Sequence, residues 1–110
     1  MGGVSGMVGV KLSKAMRDVV EERARQKDKG FTSEHDDYYE GEELARAASC
    51  YLMARDISVS KAGVPFEWPW HAQRWKPHTR RHNLVKAGAL ILAEIERLDR
   101  VASSLREVDQ

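Results

Sequence analysis

The clearest pattern of apolar and polar positions runs from Arg81 to Leu105. Apolar or small residues recur there at alternating steps of four and three, which is the spacing of one face of a helix and not of a strand. The pattern therefore predicts one long helix whose apolar face packs in the core of a bundle. We call this row the apolar seam; it consists of Leu84, Gly88, Ile91, Ile95, Leu98, Ala102 and Leu105.

A second apolar row lies beside the seam and makes the predicted face too broad for a two-stranded coiled coil alone. A helix of about 25 residues would be roughly 37 Å long, so its partners must be several short helices or must include a second copy of the chain. We therefore expect a homodimer. Small residues at 87–89 would let another backbone approach closely. The second row consists of Val85, Ala89, Leu92 and Val101.

Two shorter helices are predicted before the long one, at about 12–26 and 40–55. Ser13 is a suitable N-cap for the first, and Cys50 falls on the apolar side of the second, where a buried thiol is expected. The apolar positions are Leu12, Met16, Val19 and Val20 in the first helix, and Leu44, Ala47, Ala48, Tyr51 and Leu52 in the second.

Residues 56–79 contain all three prolines and all three tryptophans and show no helical period. A stretch this long is usually functional or partly helical, and proline is tolerated at a first helical position. We predict a short helical turn after Pro69, with the tryptophans covering the open end of the bundle. Together these elements predict an all-α fold, a small bundle of three main helices plus a short helix in this insert. Residues 1–10 are predicted to be a flexible leader, and 11–110 a single helical domain.

Composition narrows the choice of partners. Eighteen Lys and Arg against 17 Asp and Glu leave a net charge of +1, so no field of the whole chain favours nucleic acid or an anionic membrane. The chain has one cysteine, which suits a reducing compartment, and it has no run of 18 apolar residues. We expect a cytoplasmic protein that binds no membrane.

Two sets of residues could hold a metal. The first supplies oxygen ligands of the kind that Mg²⁺ prefers, although such acids also cap helices or face solvent. The second set contains three histidines that could suggest zinc, but no second ligand pair accompanies them. The first set is His35, Asp36, Asp37, Glu40, Glu42 and Glu43, and the second is His71, His78 and His82.

A basic run from Lys76 to His82 precedes the long helix and follows the tryptophans, which could stack on a base. A solvated basic loop is the simpler alternative. Lys86 and Arg23 lie on predicted packed faces, where each needs a carboxylate or an anionic ligand. Structural ion pairing is the favoured interpretation of both.

The order of several short motifs resembles a family of small phage and prophage proteins. These motifs are Glu-Arg-Ala-Arg-Gln at 22–26, a Lys-Gly-Phe turn, a His-Asp element, a Glu-Glu-Leu helix, and the helix that begins Asn-Leu-Val-Lys-Ala-Gly at Asn83. More distantly, the chain from about Val19 to Asp99 is similar to the MazG-like all-α nucleotide pyrophosphohydrolases, apart from the tryptophan-rich insert. If the chain is phage-encoded, its compartment would be the host-cell cytoplasm.

The MazG-like resemblance implies hydrolysis of nucleoside triphosphates with Mg²⁺, held by Glu-Glu-x-x-Glu on one helix and Glu-x-x-Asp on another. Glu42 and Glu43 match the first motif, but Arg46 stands at its third acid. Asn83 and Lys86 stand at the acidic positions of the second. The substitutions imply a scaffold that has lost its metal chemistry and binds an anion directly.

Three functional hypotheses follow. The favoured one is a nucleotide-binding or nucleotide-sequestering protein without efficient catalysis and without a required cofactor. The second is a divergent Mg²⁺-dependent pyrophosphohydrolase that uses Asp36, Asp37, Glu42 and Glu43. The third is a module that inhibits a host protein through exposed tryptophans of the insert. For the favoured hypothesis, the predicted binding residues are Arg23, Gln26, Arg46, Lys86, Trp70 and Trp75.

Overall fold

The structure is a computed structural model that describes residues 11–28, 42–55 and 63–109. Helix α1 is Lys14–Asp28, α2 is Glu43–Met53 and α3 is Arg80–Asp109, with a 3-10 helix at Ala72–Arg74 between α2 and α3. The described ranges contain no strand, so the prediction of an all-α bundle with three main helices and a short one in the insert is confirmed. The predicted leader, 1–10, lies outside these ranges.

Helix α1 begins where the sequence predicts. The Ser13 hydroxyl accepts a hydrogen bond from the Met16 backbone N–H at 3.1 Å, and the Ser13 carbonyl accepts one from the Arg17 N–H at 3.0 Å. These two bonds satisfy donors that the first turn of a helix leaves without intrahelical partners. Ser13 is therefore the N-cap of α1.

The core lies between α2 and the first half of α3. Leu44, Ala47, Ala48, Cys50 and Tyr51 of α2 are buried, as the pattern predicted, whereas Leu52 is exposed. Their counterparts on α3 are Ala87, Leu90 and Ala93. Burial raises the pKa of the Cys50 thiol, which is therefore a protonated core side chain.

The apolar seam does not face this core, and the prediction that it would is wrong. Its large members are 39% to 62% exposed, from Leu84 at one end to Leu105 at the other. The face that α3 turns to α2 is instead a row of mainly small residues, in which Ala87 and Ala93 are almost fully buried. Small side chains allow two helices to approach closely. They contribute little to an apolar pattern, because each has little apolar surface. The apolar pattern is therefore dominated by the seam and not by the row of small residues that is buried.

Helix α1 packs on α3 at the border of the seam. An ideal Cβ at Gly88 would lie 3.2 Å from Val19 Cγ2, so a methyl group there would crowd the valine. The expectation that small residues at 87–89 permit close approach is confirmed, since Ala87 and Ala89 are also buried. An ion pair between Asp18 and Arg81, at 2.9 Å, ties the same two helices together.

The insert folds onto α2 through its tryptophans. Trp68 is buried, and Trp70 and Trp75 are half-buried and pack against the core. The Tyr51 hydroxyl accepts a hydrogen bond from the Lys76 backbone N–H at 3.1 Å, and the Trp68 indole N–H donates to the His71 carbonyl at 3.0 Å. The tryptophans therefore join the insert to the core, and the predicted short helical turn is present, starting three residues after Pro69.

Within the described residues, no helix combines the length and the apolar character needed to cross a membrane.

Candidate ligand-binding site

A cavity of about 280 Å³ lies between α1, α2, the insert and the first turns of α3. We call it the aromatic cavity. Its inner lining is apolar and aromatic, because Tyr51, Trp68 and Leu90 are buried there and Trp70 is half-buried. Tyr51 and Trp68 meet edge to face with ring centroids 5.6 Å apart, and Trp68 and Trp70 meet in the same way at 5.3 Å. Such packing holds the rings rigidly and leaves them as flat, preorganised surfaces.

Cationic side chains surround these rings. Arg25, Arg74 and Lys76 line the cavity and are exposed, while Lys86 is half-buried. Lys86 Nζ donates to the Lys76 carbonyl at 2.7 Å and lies 5.2 Å from the Tyr51 ring centroid, within the range of a cation–π interaction. The lining thus joins an aromatic interior to a positively charged rim.

The carboxylate in this lining belongs to Glu22. It is buried and accepts two hydrogen bonds from the Arg25 guanidinium, at 2.8 and 2.6 Å. This paired geometry raises the pKa of Arg25 and compensates the buried charge of Glu22. The apolar pattern of α1 gives no sign that Glu22 is buried, because an apolar period does not reveal a paired buried carboxylate.

Gln26 contributes an acceptor that the described chain does not satisfy. Its Nε2 lies 3.5 Å from a Glu22 carboxylate oxygen, which fixes the orientation of the amide, because the reverse orientation would set two oxygens against each other. Gln26 Oε1 is buried and has no hydrogen-bond partner among the described residues. A buried acceptor without a donor is costly, so a ligand or water that donates to it would stabilise the site.

Burial raises the pKa of the Tyr51 hydroxyl, and the hydrogen bond from the Lys76 N–H opposes this effect. Tyr51 is therefore a neutral phenol at physiological pH, and it adds no negative charge to the cationic rim.

The structure brings together three of the six residues predicted to bind a nucleotide. Gln26, Lys86 and Trp70 line the aromatic cavity. Trp75 packs on Tyr51 with ring centroids 4.6 Å apart and lines a neighbouring cavity. Arg46 is exposed on α2 and lines neither cavity.

Arg23 is also separate from the aromatic cavity, because it forms part of the contact between α1 and α3. Its side chain is 5% exposed, and it donates through Nε and Nη2 to one carboxylate oxygen of Glu96, at 3.1 and 2.9 Å. The structural ion pair that the sequence favoured for Arg23 is thus present.

The pattern missed several lining residues for physical reasons. Tyr51 was assigned to the core, to which it belongs while its ring edge also borders the cavity. Arg25 and Arg74 lie at positions that no apolar period or motif marks as part of a site. The basic character of the stretch that begins at Lys76 was the one available signal for this part of the rim.

A larger cavity, of about 530 Å³, lies on the other side of Trp75. It is mainly apolar, and Arg55 and Gly63 line it at the two ends of residues 56–62, which are outside the described ranges. Size alone favours this cavity, but the aromatic cavity contains more convergent polar and charged groups. Convergent groups of this kind give a site its specificity, so we place the candidate site in the aromatic cavity.

The predicted metal ligands are only partly within the described chain. Asp36 and Asp37 lie outside it, whereas Glu42 is exposed at the N-terminus of α2 and Glu43 is half-buried. Among the described residues, no group of three or more His, Cys, Asp or Glu side chains is arranged to hold a metal ion. His78 and His82 face each other at 5.1 Å between ring centroids, and the His71 ring accepts a hydrogen bond from the Gln73 N–H.

Asn83, which stands at an acidic position of the MazG-like motif, has a structural role. It is completely buried, and its Oδ1 accepts a hydrogen bond from the His78 N–H at 2.7 Å. Its Nδ2 donates to the His78 carbonyl at 3.1 Å and to the Arg55 carbonyl at 3.4 Å. The amide therefore fixes the approach to α3, because it supplies both the acceptor and the donors that these backbone groups require.

Comparisons of this chain with protein-family models, with curated proteins and with solved structures found no match. The resemblance to phage proteins and to MazG-like pyrophosphohydrolases thus stays a prediction, and the chemistry of the aromatic cavity is the basis for assigning a function.

Proposed function

We propose that this protein binds a nucleotide-type ligand, an anion that carries a flat heterocycle, in the aromatic cavity. The observation that carries the proposal is the lining itself, in which four cationic side chains and three aromatic rings meet around one carboxylate. Aromatic rings stack on any base because every base has a π face, and cations attract phosphate.

The buried acceptor of Gln26 supports a base as the planar part of the ligand. Nucleobases carry amino and ring N–H donors, and one of these would satisfy Gln26 Oε1 while the ring lies against Trp70 or Trp68. The volume, about 280 Å³, is at the lower limit for small-molecule sites. It suits a base with its sugar inside the cavity and the phosphates at the exposed rim formed by Arg74 and Lys76.

The residues of the site favour ligand binding without catalytic turnover. Lys86 would attract phosphate where the MazG-like motif places an acid, and Asn83 is committed to three backbone hydrogen bonds. The hydrolase alternative requires Mg²⁺ on a set of acids that includes Asp36 and Asp37. The host-inhibitor alternative requires exposed tryptophans, whereas Trp68 is buried and the other two are half-buried.

The test is a binding screen with nucleoside mono- and triphosphates, cyclic nucleotides and ADP-ribose-type compounds, each with and without Mg²⁺. All three tryptophans lie at or beside the cavity, so intrinsic fluorescence reports its occupancy directly. A ligand at a hundredfold over its Kd adds about 2.7 kcal/mol to the free energy of unfolding, which raises Tm by several degrees in a domain of this size.

Two variants test where the ligand binds. Lys86→Gln removes a cation and Trp70→Leu removes a stacking surface, and we expect each to weaken binding at least tenfold. Lys11→Gln removes the same charge from an exposed position outside the cavity and should bind as the wild type does. Equal losses in all three variants, or no binding by any nucleotide, would refute the proposal. Recovery of a triphosphate as monophosphate in the presence of Mg²⁺ would favour the hydrolase instead.

A further inference from the structure

The apolar seam of α3 lies on the outside of the described chain. Leu84, Ile91, Ile95, Leu98 and Leu105 are each exposed by 39% to 62%, and Val101 beside them by 45%. Apolar side chains scattered over a surface are ordinary, but a continuous row along one helix marks an interaction surface.

The part of α3 beyond residue 97 has little contact with the described chain. Every residue from Leu98 to Arg106 is exposed except Arg100, which is half-buried. Helix α3 has 30 residues, whereas α1 has 15 and α2 has 11, so α3 is much longer than either helix that packs on it. An isolated helical segment is only marginally stable in water, and an apolar row along it would be stabilised by a partner.

The spacing of the seam identifies the kind of partner. Its seven positions alternate steps of four and three over three heptads, a repeat of 3.5 residues that matches another helix of the same repeat. No member of the seam is charged or polar, so a second copy of the same seam is complementary to it. We propose that two copies of this chain associate through the apolar seams of their α3 helices, packed antiparallel.

The projecting ends of α3 determine the orientation. In a parallel pair in register, residues 98–106 of the two copies would project together beyond both bundles and would pack only on each other. In an antiparallel pair centred between Ile95 and Leu98, Ile95 meets Leu98 of the second copy and Ile91 meets Ala102. Asp99 then lies beside Leu92 of the second copy and no like charges meet.

The antiparallel arrangement also covers exposed apolar groups on α1. The seam borders α1 at the contact of Gly88 with Val19. Met16 and Val20 flank Val19 on α1 and are 44% and 56% exposed. Leu105 of the second copy would lie at the level of Gly88, where α1 packs on α3, so the end of its α3 would lie against this part of α1. The dimer therefore places each projecting helix end against the other copy's bundle.

The aromatic cavity uses a different face of α3. Lys86 and Leu90, which line the cavity, are not members of the seam. Association through the seam therefore leaves the cavity open, so this proposal and the proposed nucleotide binding can fail independently.

The test is the molar mass of the full chain in solution, measured by sedimentation across the micromolar range. We expect twice the chain mass of 12.5 kDa. Ile95→Lys should weaken association at least a hundredfold, because it sets two lysines near the centre of the interface, while the far-UV circular dichroism of the bundle is retained. Met53→Lys changes an exposed apolar residue of α2, away from the seam, and should remain dimeric.

Cysteine cross-linking tests the orientation. A mixture of Ile91→Cys and Ala102→Cys proteins should form a mixed disulfide dimer on oxidation, since these positions meet in the antiparallel pair. Leu105→Cys alone should not, because its two copies would be roughly 25 Å apart, far beyond the reach of a disulfide. The wild type controls for the buried Cys50. A monomer at every concentration, a dimer that Ile95→Lys leaves intact, or ready cross-linking of Leu105→Cys would overturn the proposal.

Discussion

On one face of α3 mainly small side chains are buried, whereas on another face large apolar side chains are exposed. Toward α2 the helix presents Ala87, Leu90 and Ala93, all buried. On the apolar seam it presents Ile91, Ile95 and Leu98, each about half exposed. The difference shows that an apolar pattern in the sequence identifies an apolar face of a helix. The pattern does not identify the element that packs on that face. Close approach of α2 explains why the small residues are inside, since a helix packed on alanine lies nearer than one packed on leucine.

The largest effect is expected from enlarging the buried face. Ala87→Leu should destabilise the protein by about 3 kcal/mol, because the core around Ala87 has no room for three further carbon atoms. The matched control is Ala102→Leu, the same change on the seam of the same helix, which should leave the free energy of unfolding unchanged or raise it. Urea unfolding of both variants measures the comparison. Similar losses in the two variants would mean that the faces do not differ as described.

A loss of about 2 kcal/mol is expected from Asn83→Asp, which keeps the shape of the side chain but removes both amide donors. The Arg55 and His78 carbonyls would lose their hydrogen bonds, and a carboxylate would be buried at a position with no exposure. Restoring the acid of the MazG-like motif should therefore weaken the fold, as thermal unfolding can measure. A variant that is as stable as the wild type and gains Mg²⁺-dependent stabilisation would favour the hydrolase alternative.

The border between the two faces can be tested at Gly88. Gly88→Ala gains up to about 1 kcal/mol of helix propensity, but its methyl group would crowd Val19, so we expect a net change close to zero. In a Val19→Ala background the crowding is absent and the same change should stabilise by about 1 kcal/mol. The double-mutant cycle isolates this contact. Additive effects would show that α1 does not pack against Gly88.

The smallest effect concerns His82 in the first turn of α3. Burial lowers its pKa, and the nearby Lys86 and His78 act in the same direction while Glu22 opposes them. The unfolded chain therefore binds this proton at a higher pH than the folded chain does, and stability declines as the pH falls below the ordinary histidine pKa of about 6.5. Between about pH 7.5 and 5.5 the Tm of the wild type should fall slightly more than that of His82→Gln. If the Tm of the wild type and that of His82→Gln change with pH in the same way, groups other than His82 cause the loss of stability at low pH.

Prediction from sequence succeeded where local rules act within one helix. The long helix was expected from Arg81 and begins at Arg80, and Ser13 caps α1 as its side-chain chemistry requires. The buried positions of α2 were also predicted, although Leu52, which was predicted among them, is exposed. Prediction failed where burial depends on pairing between distant groups. Glu22 is buried because Arg25 compensates its charge, and no hydrophobic period signals such a pair.

The sequence predicted the chemistry of the candidate site but not the full set of residues that line it. A cation beside an apolar face needs a partner, which made Lys86 a predicted binding residue, and Lys86 does line the cavity with Gln26 and Trp70. Arg23 met the same criterion, yet its partner is Glu96 on α3. The two cations differ in what lies opposite each of them, which depends on how the helices cross.

By itself, the sequence determined the helices of this protein, the cap of α1, the small residues where helices come close and the existence of a continuous apolar seam. These are properties of neighbouring residues on one helix, so a repeat of about 3.6 residues and side-chain chemistry suffice to specify them. Only the tertiary structure decided that the alanine row faces α2, that the seam remains outward, and that the tryptophans and Lys86 border one cavity. Those outcomes depend on the packing of elements far apart in the chain, where close approach between backbones outweighs the size of individual apolar side chains.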